Sequence, residues 1–193
     1  MLVKARIVPI VNLGNLVWIM EYKEPTASNL SKQAVDRLAA DVARQVGFQS
    51  GDDISPIVQK LGGRIQIRDL SEVADPSSGS IFIRGPREFD IVLPSHTGLT
   101  RDRFTIAHEL GHLVLHYIWP RHRGADVGPT MARRYGTGRV EWEANWFAAG
   151  FLMPAEDFKE FVRTSGSNTA LLSVRYGVSP AAAEVRLRSL NLL

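Results

Sequence analysis

Residues 104–115 read FTIAHELGHLVL, a helical pattern in which three residues separate His108 from His112. Residues four apart lie one turn apart on the same face of an α-helix, so both imidazoles can reach one cation. Glu109 lies beside them and can address a metal-bound water rather than the metal. The pattern His-Glu-x-x-His therefore predicts two zinc ligands and a general base. The alternative, two buried histidines bonded to backbone carbonyls, leaves Glu109 unexplained, because a carboxylate near a core is costly unless it is paired.

A catalytic zinc ion needs a third protein ligand and an open position for water. His116 follows on the same face, but eight residues of helix place it about 12 Å from His108 along the axis, too far for one ion. The next predicted helix carries Glu141 and Glu143, which point to nearly opposite faces, so only one of them can be the ligand. We expect Glu141, with Glu143 as the alternative. Small residues on the Glu141 face allow close helix packing, and Asn145 on that face could bond a ligand histidine.

The composition is that of a globular domain. The chain has 193 residues, of which 45% are hydrophobic and 22% are charged. It contains no cysteine, which excludes disulfides, thiolate metal sites and a cysteine nucleophile, so His, Asp and Glu must hold any metal. The net charge of +3 comes without a run of like charges, and it does not indicate a nucleic-acid-binding protein.

An apolar segment at residues 7–20 follows Lys4 and Arg6, which is the arrangement of a signal peptide. Polar and turn-forming residues interrupt it, and about 14 residues are too few to span a bilayer, which takes about 20. We therefore expect residues 1–25 to form an arm or hairpin and residues 26–193 to form a single domain. The arm is the expected surface for self-association, and no membrane contact is expected.

Hydrophobic periodicity predicts a fold of the α+β class. Three runs of alternating apolar residues predict a small antiparallel three-stranded sheet with a hairpin between the last two strands, at 64–68, 80–84 and 89–93. Helical patterns bounded by Ser, Pro and Gly predict helices at 35–46, 55–62, 100–118, 139–152, 155–163, 169–176 and 180–190. The sheet is expected to pack against these helices, and residues 120–138 are expected to form a loop rich in Arg and Gly.

Three motifs together resemble the ImmA/IrrE family of metallopeptidases. They are RDRFTIAHELGH at 101–112, EWEANWFAA at 141–149 and LMP at 152–154. The end of the chain, from Tyr176 to Leu187, is also similar to the usual ending of that family. The arm at residues 1–20 is a departure from it.

The resemblance implies a gluzincin-like site in a zincin-like core. In such a site His108, His112 and Glu141 bind Zn²⁺, with Mn²⁺ as the alternative metal, and Glu109 is the catalytic base. The resemblance further implies a cytoplasmic metallo-endopeptidase. Its protein substrate would be a helix-turn-helix repressor or an antitoxin, as in toxin–antitoxin circuits.

Peptide hydrolysis also requires a donor that stabilises the oxyanion of the tetrahedral intermediate. The candidates are His116, His122 and Tyr135, and their spacing does not distinguish among them. His116 is also expected to cap the end of its helix.

Two other classes of function were weighed against the peptidase. A non-cleaving interaction module, such as a toxin-like partner of an antitoxin, would carry the same motif with a structural or vestigial zinc site. The pattern of residues 171–190 is similar to a helix-turn-helix. The second helix of this pattern begins PAAAE, however, and has no side chain there that reaches base edges. Direct binding to nucleic acid is therefore not expected.

Overall fold

The computed structural model describes residues 7–12, 15–69, 79–95, 98–133 and 137–193. Within these ranges the chain forms a two-stranded sheet, a four-stranded sheet and eight α-helices. The predicted α+β class is therefore confirmed.

The amino-terminal arm contains an antiparallel hairpin of β1 (Ile7–Asn12) and β2 (Asn15–Met20). Asn12 and Asn15 are the last backbone pair of this hairpin. The boundary of the arm at residue 25 and its role in self-association stay predictions.

The main sheet has four strands rather than the three predicted, and it is mixed rather than antiparallel. Its strands are β3 (Gly63–Arg68), β4 (Gly79–Gly85), β5 (Glu88–Pro94) and β6 (Thr130–Arg133), in the spatial order β3-β5-β4-β6. β4 pairs antiparallel with both β5 and β6, whereas β3 pairs parallel with β5. Because β4 fills one edge of β5, β3 pairs along the other edge. Two reversals of direction separate β3 from β5, so the two strands run the same way.

β6 lies inside the segment that was predicted as a loop. It has only four residues, too few for a visible alternation of apolar side chains. Long-range pairing supports it instead, through β4 on one side and Lys23 on the other. The backbone N–H of Lys23 donates to the Pro129 carbonyl at 2.9 Å, and that of Met131 donates to the Lys23 carbonyl at 3.0 Å.

The helices lie close to the predicted positions, with one short helix added. They are α1 (Lys32–Val46), α2 (Ser55–Lys60), α3 (Leu99–Gly111), α4 (Trp119–His122), α5 (Arg139–Leu152), α6 (Ala155–Ser165), α7 (Thr169–Tyr176) and α8 (Pro180–Ser189). Between α3 and α4 the chain continues as a π-helical segment, His112–Ile118, where a plain α-helix was predicted. No helix in these described ranges is long and apolar enough to cross a membrane.

Local sequence explains where α1 begins and ends. The Ser31 hydroxyl accepts a hydrogen bond from the backbone N–H of Ala34, which satisfies a free donor of the first turn. Gly47 closes the helix with a φ of +75°, a left-handed conformation that favours glycine. Serine at the start of a helix and glycine just past its end are common boundaries.

α5 lies between α1 and α3, and this packing sets the position of the site. The approach of α3 to α5 is close because Gly111 has no side chain. A Cβ at this position would lie 3.1 Å from the Ala144 Cα and 3.1 Å from the Phe147 Cβ. On the other side, α3 contacts β5 and the π-helical segment contacts β4, over buried isoleucines such as Ile81 and Ile91.

Candidate metal centre

Three side chains that the sequence singled out lie together where α3 meets α5. His108 is in the last turn of α3, His112 begins the π-helical segment, and Glu141 is in the first turn of α5. One potential ligand atom from each lies within 4.8 Å of the other two. The structure therefore brings together the two histidines and the carboxylate that were predicted as metal ligands.

The distances among these atoms match those around a tetrahedral zinc ion. The two Nε2 atoms are 3.1 Å apart, and Glu141 oxygens lie 3.1 Å from Nε2 of His108 and 3.5 Å from Nε2 of His112. Donors bonded to one tetrahedral zinc at about 2.1 Å are separated by about 3.4 Å. Two imidazoles and a carboxylate are also a known ligand set of catalytic zinc, with the fourth position left for water. The residues present fit zinc.

Asn145 orients the first histidine ligand. Nδ1 of His108 lies 3.0 Å from Oδ1 of Asn145, one turn beyond Glu141 on α5. An amide oxygen can only accept, so we assign the proton of His108 to Nδ1. Nε2 is then unprotonated and available to a metal. The hydrogen bond between Asn145 and a ligand histidine is the contact that the sequence predicted.

A buried hydrogen-bond relay orients the second histidine ligand, His112. It runs from His112 through His116 to Glu143. Nδ1 of His112 lies 3.0 Å from Nδ1 of His116, and Nε2 of His116 lies 3.1 Å from Oε2 of Glu143. The ionised carboxylate can only accept, so His116 carries its proton on Nε2 and accepts from His112 through Nδ1. This assignment leaves Nε2 of His112 unprotonated, facing Glu141.

His116 does not cap a helix end, as the sequence had suggested. It lies inside the π-helical segment, which continues into α4, and only 1% of its surface is exposed. π-helical turns are wider than α-helical turns and are frequent at functional sites. The sequence HLVLHYI contains no proline or glycine that would mark such a turn, so nothing in it distinguished the two kinds of helix.

Glu143, the alternative third ligand, is not part of the ligand cluster and is completely buried. Its Oε2 accepts hydrogen bonds from the backbone N–H and the hydroxyl of Ser28, each at 2.8 Å. Its Oε1 accepts from the backbone N–H of Asn29 at 3.0 Å and from Nε of Arg139 at 2.8 Å. With His116 as a further donor, the carboxylate is occupied on both oxygens and anchors the relay.

Glu109 is buried in α3. Its Oε1 accepts a hydrogen bond of 2.6 Å from the Ser80 hydroxyl in β4, whereas its buried Oε2 has no hydrogen-bond partner in the part of the chain that the structure describes. A buried acceptor left without a donor is costly, so this oxygen marks a position where a water or substrate group can donate. Ser80 was not predicted, because a serine in a strand carries no signal of its own.

The electrostatics of the cluster favour ionised Glu141 and neutral His116. Burial opposes ionisation of Glu141, but its interactions with the imidazoles of His108 and His112 outweigh burial and hold the pKa of Glu141 far below its ordinary range. Burial also disfavours charged His108, yet Glu141, which would accept a bond from the protonated ring, and the charge of Glu109 raise the pKa of His108. Burial and the neighbouring His112 lower the pKa of His116 to about 4, so that it is neutral at pH 7.

The three candidates for the donor that stabilises the oxyanion lie in different surroundings. Both ring nitrogens of His116 are engaged in the relay, so it has no free donor for an oxyanion. His122 is exposed at the end of α4. Tyr135 lies outside the described residues.

Comparison with known proteins identifies a sequence family and a similar fold. The family model Peptidase_M78, described as the IrrE N-terminal-like domain, matches residues 63–188. A Mycobacterium tuberculosis transcriptional regulator has a similar structure, with a TM-score of 0.56 and 18% sequence identity. The match covers 83% of this chain but 47% of the regulator, so the chain spans less than half of that protein, and the likeness concerns the fold alone. No curated protein sequence matches the chain.

Proposed function

The chain belongs to the Peptidase_M78 family, and from this premise we propose that it is a zinc-dependent endopeptidase that cleaves a protein substrate. The observation that carries the proposal is the convergence of His108, His112 and Glu141 at zinc-like spacing. Glu109, next to the first histidine in α3, supplies the carboxylate that such a hydrolase requires.

The side chains around the cluster have distinct tasks in this proposal. Zinc bound there would supply a Lewis acid for the scissile carbonyl and a water with a pKa near ~7. The Ser80 hydroxyl fixes Oε1 of Glu109, which leaves Oε2 to take the proton of the attacking water and return it to the leaving amine. Asn145 and His116 hold the two imidazoles in the tautomers whose Nε2 atoms accept a metal.

We further propose that the substrate is a helix-turn-helix repressor or an antitoxin, encountered in the cytoplasm. The support for this substrate class is the resemblance of the motifs at 101–112, 141–149 and 152–154 to a family that acts on such proteins. The similar mycobacterial structure adds support for the fold only.

A Glu109→Gln variant tests the proposal. The wild type loaded with zinc should cleave at least one member of a panel of purified helix-turn-helix repressors and antitoxins at a defined bond, seen by mass spectrometry. The glutamine cannot take a proton, so we expect the cleavage rate to fall by about 10²–10⁴-fold while zinc binding is kept. Glu160→Gln, the same change on the exposed surface of α6, should leave the rate unaltered.

Two outcomes would contradict the peptidase. Cleavage by Glu109→Gln at the wild-type rate would remove Glu109 from the reaction. Tight binding of a panel member by both forms, with cleavage by neither, would favour the non-cleaving interaction module instead.

A further inference from the structure

An apolar groove of about 440 Å³ lies between α5 and α8, with the start of α3 at one side. Pockets that take small organic groups have volumes of roughly 300–1,000 Å³. The apolar side chains that line the groove include Phe104, Trp142, Trp146, Ala149, Met153 and Val185.

The groove lies beside the metal centre along two helices. Phe104 precedes His108 by four residues on α3, and Ala149 follows Glu141 by eight residues on α5, so each shares a face with a ligand. Asn145 belongs to both regions, because it lines the groove and its Oδ1 bonds His108 at 3.0 Å. One helical turn is about 5.4 Å, so the groove begins about that far from the ligands.

The chemistry of the groove favours an uncharged, apolar occupant. Large apolar side chains stand open to solvent on both walls, with Trp142 57% exposed on α5 and Val185 66% exposed on α8. Three charged residues line the groove. Asp36 and Arg186 neutralise each other through an ion pair of 2.6 Å, whereas Lys32 is exposed in the first turn of α1. Most of the remaining lining is apolar.

We propose that this groove binds a large apolar side chain of the polypeptide substrate, located within two residues of the scissile bond. The inference rests on the proposed peptidase function. An extended peptide rises about 3.3 Å per residue, so a side chain one or two positions from a carbonyl at the metal centre reaches the start of the groove. The enzyme would then prefer leucine-, methionine- or phenylalanine-sized residues at that position.

A pair of peptide hydroxamates tests the groove without requiring turnover. The two compounds chelate zinc identically but carry either an isobutyl group or a hydrogen at the residue next to the hydroxamate. Titration calorimetry on the zinc-loaded full chain should show the isobutyl compound binding at least about tenfold more tightly, because its side chain is buried in an apolar site. A ratio near one in the wild type would overturn the proposal, as would no binding of either compound.

Two variants locate the binding of the isobutyl group. Ala149→Phe fills the groove and should reduce the ratio of the two affinities to about threefold or less, whereas Ala170→Phe, on the exposed surface of α7, should retain it. Val185→Ser changes an exposed residue whose loss does not threaten folding, and it should lower the ratio severalfold. An unaltered ratio in Val185→Ser and Ala149→Phe would overturn the proposal.

The same titrations separate this proposal from the proposed catalysis. Glu109→Gln should show the wild-type affinity ratio, since binding does not need the base. If no protein substrate is cleaved but the ratio and its loss in Ala149→Phe are observed, the peptidase proposal fails, and the groove binds an apolar side chain beside the metal centre without a scissile bond. Cleavage of a protein substrate, with equal affinities for the two hydroxamates, would support the peptidase proposal and overturn the groove proposal.

Discussion

Glu141 and Glu143 are two residues apart on α5, yet they have opposite surroundings. Glu141 keeps 15% of its side-chain surface exposed, and among the described residues only the imidazoles of His108 and His112 lie within ion-pair distance of it. Glu143 has no exposed surface, and both of its oxygens accept hydrogen bonds from protein donors. A carboxylate whose oxygens are already occupied cannot ligate a metal without losing those bonds. Glu141 is therefore the candidate ligand, whereas Glu143 stabilises the fold around the metal centre.

The largest expected effect in this comparison is on stability. Glu143→Ala removes the acceptor for donors on Ser28, Asn29, Arg139 and His116, so several buried polar groups lose their partner. We expect the free energy of unfolding of the metal-free chain to fall by about 3–5 kcal/mol, measured by urea denaturation. Glu141→Ala should cost less in the same assay, because the carboxylate is partly exposed and has fewer partners. Equal losses in the two variants would remove the distinction between them.

The next effect concerns the partners that orient the histidines. His116→Leu breaks the buried relay to His112, and we expect zinc affinity to fall by about 10–100-fold although no ligand is altered. Asn145→Ala removes the partner of His108 at a more exposed position, and its effect should lie at the lower end of that range. Competition with a chromophoric chelator measures both. Wild-type affinity in His116→Leu would show that the relay does not serve the metal centre.

The smallest expected effect comes from a buried carboxylate that is not part of the ligand cluster. Asp90 in β5 is bonded by Arg64 and Arg84. Burial alone would raise the pKa of Asp90, but these bonds outweigh it and hold the pKa below its ordinary value of 3.8. On acidification, Asp90 is therefore protonated at a higher pH in the unfolded chain than in the folded chain. The stabilisation from ionised Asp90 is fully present above the pKa of the unfolded chain, and it is lost as the pH falls through the lower pKa of the folded chain.

Asp90→Asn should then lower the free energy of unfolding at pH 7 by about 1–2 kcal/mol. The difference from wild type should shrink as the pH falls below about 4, as seen in urea denaturation at each pH. Zinc affinity should not change. A loss of zinc affinity in this variant would show that burial of any carboxylate, rather than the relay through Glu143, supports the metal centre.

Much of the candidate site followed from helical spacing. The four-residue interval predicted His108 and His112 as a pair of ligands, and the small residues on the Glu141 face favoured Glu141 over Glu143. The family resemblance implied the same three residues. Asn145 followed from the same face. The roles of Ser28, Ser80 and Glu143 did not follow, because each depends on contacts between residues far apart in the sequence.

Most of the helices and strands could also be predicted from the sequence. Helices and the strands β3, β4 and β5 have amphipathic periods that a sequence displays directly. The parallel pairing of β3 with β5, the short strand β6 and the π-helical segment depend on tertiary contacts or on backbone geometry that no residue type marks. They are the features in which the structure differs from the prediction.

The measurement that tests the account most directly is the zinc content of the purified full chain, beside Glu141→Ala and Glu143→Gln. Each protein is supplied with zinc, dialysed and analysed for metal. We predict about one zinc per chain in the wild type and in Glu143→Gln, and a loss of stoichiometric zinc in Glu141→Ala. No zinc in the wild type, or full zinc in Glu141→Ala with its loss in Glu143→Gln, would contradict the metal centre described above.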